Sequence, residues 1–425
     1  MDQNEINYFA KTNFRNQYKT FGIKREDRRK HVYVIGKTGS GKTTLLENLI
    51  VQDIKNGEGV GVIDPHGDLV EKILDYIPSH RINDTVYFNP ADLEYPVTLN
   101  ILENKSYDAQ HLISASLIST FKKIWIDFWG ARLEYILRNI ILALLDYPDT
   151  TLLSIPKMLN DEKYRTKIVN SVQNKVVRNF WLKEYSEYSK SFRAEAISPI
   201  QNKVGQFLSI PLIRNIISWP RSSFNPREVM DNKKIFLANL SKGRIGEDAS
   251  RLLGALLISK FQLAAMERVD IPEQERQDFY LFIDEFQNFS SESFAEILSE
   301  ARKYRLCLTL CHQYIDQLEH DIRSAIFGNV GTIINFRLGV NDAKVLAEEY
   351  ANRLTVDDII NLSKFSIYLK LSIDGITSKP FSADTLPPQG ESKGGNKEKI
   401  IKVSRQRYAQ KREIIERQVE RWTSV

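Results

Sequence analysis

Cysteine is almost missing from this 425-residue chain, and long apolar runs are missing altogether. The two cysteines, Cys307 and Cys311, share one apolar run, Leu306 to Cys311. If that run is a strand they lie ~13 Å apart, too far to pair, and read as small core residues in a reducing compartment. His312 follows directly, but a strand does not converge these side chains on a metal, and the chain offers no second ligand cluster. No apolar stretch approaches the ~18 residues of a membrane helix, and Met1 to Glu5 has no charged-then-apolar signal pattern, so the chain reads as cytoplasmic. No repeat of fixed period occurs. Net charge is missing outside the C-terminus: residues 391–425 hold ten Lys/Arg against five Glu, which is the whole formal net charge of +5. With 42% hydrophobic and 27% charged residues, the length suffices for two or three domains with a sizeable core.

What is present is concentrated first at residues 32–43. An apolar run, Val32 to Ile35, enters Gly36-Lys37-Thr38-Gly39-Ser40-Gly41-Lys42-Thr43, a full match to the phosphate-binding loop G-x-x-x-x-G-K-[ST]. The glycines let successive backbone N–H groups turn toward phosphate oxygens, while the helix that follows from Thr44 aims its positive end at the same anion. Lys42 supplies a point charge near the β- and γ-phosphates, and the Thr43 hydroxyl suits Mg²⁺. The expected ligands are therefore ATP and Mg²⁺.

Taken in order, the chain divides into five parts. Residues 1–30 form a polar lead-in whose basic end, Lys24 to His31, is either solvated or contributes to the nucleotide pocket or to nucleic-acid contact. Residues 31–104 alternate strand and helix patterns: Gly59 to Asp64 closes on the turn Pro65-His66-Gly67-Asp68, and Thr85 to Phe88 is a further strand. Residues 105–228 switch to helical spacing, with Leu133, Ile136, Leu137, Ile140, Ile141 and Leu144 on one face, and read as an all-α insertion. Its aromatics, including Trp125, Trp129, Trp181 and Trp219, read as core. Strand patterns return over 229–386, at Lys234 to Leu240, Tyr280 to Ile283, Leu306 to Cys311, Thr332 to Leu338 and Phe365 to Ile373. A basic glycine-containing loop, Ser241 to Gly246, follows the first of them. Residues 387–425 are a flexible linker and a basic helical tail with a single stripe of Ile401, Tyr408, Ile415 and Trp422, either a mobile helix for nucleic acid or a partner, or a solvated end. The fold class is α/β with a mostly parallel sheet.

Four apolar residues ending in Asp284-Glu285 supply the second half of a nucleoside triphosphatase. Asp284 emerging from a buried strand can hold the Mg²⁺ water shell near Thr43, and Glu285 can polarise an attacking water. Gln313, at the end of the cysteine-bearing strand, is a neutral amide able to sense the γ-phosphate, or a capping residue. Arg302 precedes that strand and, if its helix lies on the sheet's flank, points away from its own site, which suits an arginine finger supplied in trans, or a surface arginine.

The order of phosphate loop, Ile63 to Asp68, helical insertion, Ile283-Asp284-Glu285, Arg302-Lys303 and Gln313 resembles the HerA/FtsK superfamily of ring-forming DNA motors, over roughly residues 20–385. Within it the chain is most similar to type IV secretion coupling proteins of the TraD/TraG kind and to HerA-like helicases. That resemblance implies a RecA-like core with an inserted all-α domain, a homohexameric ring and ATP-driven movement of DNA. It implies Lys42 and Thr43 as phosphate and metal residues, Asp284 and Glu285 as the acidic pair, Gln313 as sensor and Arg302 as trans finger, with Arg337 its rival. It further implies a secretion-channel or relaxase partner and a station peripheral to a membrane secretion complex. Two other functions fit the same residues: a secretion-assembly ATPase acting on protein, and a nucleotide-gated DNA-binding scaffold.

Overall fold

The computed structural model describes residues 6–15, 17–103, 107–291, 293–388, 390 and 395–423. It comprises two compact units. The first takes Met1–Phe88, Pro226–Ser241 and Ala264–Ser404. Its elements run β1 (Ile6–Thr12), β2 (Thr20–Lys24), α1 (Arg25–Arg28), β3 (Val32–Ile35), α2 (Lys42–Lys55), β4 (Gly59–Asp64), α3 (Asp68–Tyr76) and β5 (Thr85–Phe88). After the second unit's first segment come β6 (Ile235–Asn239), β7 (Phe279–Ile283), β8 (Leu306–His312), β9 (Thr332–Asn335) and β10 (Ser366–Lys370). A short hairpin of β11 (Ser372–Ile373) and β12 (Ile376–Thr377) precedes β13 (Phe381–Thr385).

Eleven of these strands form one sheet in the order β2-β1-β13-β10-β9-β3-β8-β7-β4-β6-β5. The seven from β9 to β5 pair in parallel, and β10, β13, β1 and β2 extend the sheet antiparallel. Every residue of the seven parallel strands is buried, as continuous β-branched and aromatic runs require when helices cover both faces. Register aligns Ile35 with His312 and Ile63 with Ile283, so the C-terminal ends of β3, β8, β7 and β4 reach one edge together.

The N-terminal residues differ from the polar lead-in expected from composition. Residues 6–12 and 20–24 are strands, with Phe9, Ala10 and Ile23 buried. An edge hairpin needs only a few inward side chains, so its composition stays polar. The basic stretch after it is bound internally rather than solvated. Arg28 is buried, donating to both carboxylate oxygens of Asp53 at 2.6 and 2.7 Å, with its guanidinium 3.7 Å from the Tyr280 ring centroid. Arg25 and Arg29 both pair with buried Asp278.

The tail is likewise ordered where described, although residues 391–394 of the expected linker lie outside the described residues. The helix Lys397–Tyr408 buries Ile400, and the Ser404 hydroxyl accepts the Tyr87 N–H at 2.8 Å. That bond satisfies a donor on β5, the sheet's edge strand.

The second unit takes Asn89–Asn225, Lys242–Leu263 and Arg405–Val425 and is helical. Helix Ala131–Leu145 buries the expected face from Leu133 to Leu144. Trp125 stacks on Phe121 at 4.5 Å, and Trp181 is buried among Phe180 and Tyr185, while Trp129 and Trp219 are half-buried. Helix Arg412–Thr423 packs Ile415 and Val419 on Leu153, beside Leu208, Trp219 and Trp422. Folding also redistributes charge. The helical unit gathers 27 Lys/Arg against 18 Asp/Glu, net +9, and the α/β unit 32 against 36, net −4. Among the described residues no helix is long and apolar enough to cross a membrane.

Candidate functional site

The site is built at the shared edge of β3, β7 and β8. β3 delivers residues 36–41 as a loop anchored on both flanking strands. Gly36 N–H donates to His312 O at 3.3 Å, and Lys37 N–H to Arg337 O at 3.0 Å. Two positions admit only glycine. A Cβ on Gly36 would lie 2.6 Å from the Phe336 Cβ. Gly41 has φ +126°, and its Cβ would stand 2.8 Å from the Phe365 ring. Thr38 and Gly39 are exposed at the loop tip, and Thr43 is exposed and Thr44 half-buried in the first turn of α2. Lys42 is buried at the start of α2, its ammonium donating to Gly36 O at 2.6 Å and Lys37 O at 3.2 Å. The Ser40 hydroxyl oxygen is buried with no hydrogen-bond partner. A buried ammonium held only by loop carbonyls, an orphaned hydroxyl and a helix N-terminus together fit a polyphosphate.

Asp284 follows β7 and is buried, its N–H donating to Ile63 O and its Oδ1 accepting from Glu285 N–H. Burial, then the nearby carboxylates Asp64 and Glu285, push its carboxyl up to about 6. Asp64, at the end of β4, is fully buried and accepts from the N–H groups of His66, Leu69 and Val70, which fixes the start of α3. Two buried carboxylates near one ammonium, with the exposed Thr43 hydroxyl, form a donor set suited to Mg²⁺, which takes few protein ligands beside water and phosphate oxygens.

Glu285 is held on both oxygens. Gln313 Nε2 donates to Oε1 at 2.5 Å, and Gln287 Nε2 to Oε2 at 2.6 Å. Gln313 Oε1 in turn accepts the Thr38 hydroxyl at 2.8 Å. A continuous hydrogen-bonded path thus runs from the phosphate loop through Gln313 to Glu285, although these residues are 275 and 28 positions apart. Beneath it His312 is fully buried, 2.5 Å from the Tyr33 hydroxyl and packed on Phe286. Burial and then Lys42 depress it to about 3, which keeps the imidazole neutral.

The fold brings Lys42, Thr43, Asp284, Glu285 and Gln313 to one edge and leaves Arg302 away from it. Arg302 is exposed on the turn Ala301–Tyr304, at the opposite end of β8 from Gln313. Arg337 is exposed directly beside the loop, which its carbonyl anchors. Sequence reasoning passed over Asp64 and Gln287 as site residues. Asp64 carried a signal, an acid closing a buried strand as Asp284 does; Gln287 carried none.

The family model for the type IV secretion-system coupling protein DNA-binding domain matches residues 17–368. The chain belongs to that family. Among solved structures, this coupling-protein domain is similar to plasmid coupling protein TrwB in complex with the non-hydrolysable ATP analogue ADPNP. Identity is 15%, over 92% of this chain and 97% of that one, with a TM-score of 0.66. It is also similar to bacterial conjugative coupling protein TrwBdeltaN70 (16%, 87% of each chain, TM-score 0.63). A third likeness is to VirB4 of Thermoanaerobacter pseudethanolicus (13%, 92% of this chain and 98% of that one, TM-score 0.58). These likenesses establish the fold, a RecA-like P-loop core with an all-α unit. No curated protein matches the chain.

Proposed function

We propose that this coupling-protein chain is a Mg²⁺-dependent ATPase that moves DNA, working as a homohexameric ring. The observation that carries the hydrolytic assignment is the path Thr38–Gln313–Glu285, which links the phosphate loop to a carboxylate able to take a proton from water. In this reading residues 36–41 and Lys42 bind the phosphates. Thr43 and Asp284 would hold Mg²⁺, which when bound would neutralise charge on the phosphates. Gln313 reports loop occupancy to Glu285. TrwB in complex with ADPNP and with ADP and Mg²⁺ supports the choice of nucleotide and metal.

Two features support the ring and the DNA substrate. Arg302 lies at the far end of β8 from Gln313, so it serves a neighbouring subunit's nucleotide or none; the ring reading gives it the first role. The helical unit's net charge of +9 suits a polyanion, and it would bind DNA with strong salt dependence. The matched family is itself described as a DNA-binding domain.

The test is the rate of ATP hydrolysis with no DNA, single-stranded DNA and double-stranded DNA, with particle mass measured with and without ATP. A DNA-stimulated rate and a nucleotide-dependent hexamer are expected. Glu285→Gln should keep ATP affinity and lose ~10²–10⁴-fold in turnover. Turnover indifferent to DNA would shift the reading to an ATPase acting on protein. Full function in Glu285→Gln would leave only a nucleotide-gated scaffold.

A further inference from the structure

Glu285 combines two unusual features. Its backbone is left-handed (φ 46°, ψ 48°), a conformation uncommon for a residue with a side chain. Both its carboxylate oxygens are also occupied by amide donors. The two donors are not equivalent. Gln313 stands at the end of β8, and its other polar atom takes the Thr38 hydroxyl, so its grip on Glu285 is tied to the state of the phosphate loop. Gln287 lies two residues from Glu285 on the 3-10 turn Phe286–Asn288, secured by buried Phe286 and by the Asn288 N–H and Nδ2, which donate to Glu285 O at 3.0 and 2.8 Å. Its grip does not depend on the loop. Gln287 Oε1, moreover, is buried with no hydrogen-bond partner.

From this geometry we infer that Gln287 is the positioning residue of the reaction. It keeps Glu285 aimed when the loop-linked amide of Gln313 exchanges partners. The inference rests on the hydrolytic assignment above. In that step the water oxygen bonds to the γ-phosphorus as the bond to the bridging oxygen breaks and ADP departs. One water proton passes to Glu285, whose carboxylate the Gln287 amide orients. A donor on the same short turn restrains the carboxylate more tightly than one on a neighbouring strand, because fewer torsions separate the two groups.

Gln287→Met keeps the side chain's length and removes both polar atoms. Expected in Gln287→Met are a turnover about tenfold lower, unchanged affinity for a non-hydrolysable ATP analogue, unchanged melting temperature, and faster amide exchange across 285–289 in the nucleotide-free protein. In a Glu285→Gln background the same change should alter the residual rate no further, since Gln287 acts through Glu285. Turnover at the parental level, unchanged exchange, or a further drop in the Glu285→Gln background would overturn the inference. So would a loss of analogue affinity or melting temperature that parallels the loss of turnover. A parent protein without any ATP turnover defeats the hydrolytic assignment itself, whereas a normal parent with an unaffected Gln287→Met defeats only the role of Gln287.

Discussion

Asp284 should be a residue that weakens the fold it serves. Its carboxyl, ordinarily near 3.8, is pushed to about 6 by burial and by Asp64 and Glu285. The folded protein therefore binds this proton more tightly than the unfolded chain does. The group's contribution to stability is complete below about pH 4, declines as pH rises to about 6, and stays lost above that. The two-unit difference corresponds to about 3 kcal/mol. Asn at 284 cannot ionise, yet it keeps an oxygen to accept the Glu285 N–H. Asp284→Asn in nucleotide-free, Mg²⁺-free protein is thus expected to be more stable than the parent at neutral pH by up to about 3 kcal/mol, or ~6–12 °C in melting temperature for a unit of this size. Its stability should lack the parent's decline across that window, and its Mg²⁺-dependent hydrolysis should vanish. Urea and thermal melts from about pH 4 to about pH 8 measure both curves. A variant less stable than the parent at neutral pH, or one with the parent's slope between pH 4 and 6, would refute the reasoning.

Two further outcomes follow from the loop and the tail. Gly41→Ala places a side chain at φ +126° and 2.8 Å from Phe365. The conformational strain of ~1–3 kcal/mol should be relieved by moving the loop, so affinity for a fluorescent ATP analogue should fall ~10–100-fold; unchanged affinity would rule out this account of the cradle. Arg417 and Arg421 are exposed on the C-terminal helix, whereas Ile415 is buried. Replacing both arginines with Gln should lower the salt slope of DNA binding by ~1.4–1.8 without changing melting, whereas Ile415→Ala should cost ~2–5 kcal/mol of stability. An unchanged slope would remove the tail from the DNA surface.

Much of the site could be read from residue order alone, for a local reason. A phosphate loop needs glycines, lysine and threonine at fixed spacing, and the parallel strands, buried on both faces, appear as unbroken apolar runs. Asp284, Glu285 and Gln313 were legible because each follows such a run. The hairpin at the sheet's margin is not: β1 and β2 bury one side chain in two or fewer, and their composition stays polar.

What the sequence by itself determined is the set of groups available, namely a phosphate-loop motif, two acids closing an apolar run and an amide closing another. Only the tertiary structure decided their arrangement. The order β3-β8-β7 inserts the Gln313 strand between the loop and the acidic pair, so one amide touches both. It alone brought Gln287 to Glu285, through the three-residue turn Phe286–Asn288 and not through any pattern. It also moved the charge. In residue order the excess lies in the last 35 positions, but folding gathers Arg405–Val425 with two other segments into a unit of net +9 and leaves the nucleotide-binding unit, which keeps residues 391–404, at −4. Electrostatic attraction depends on distance in space, and that distance exists only once the chain has folded.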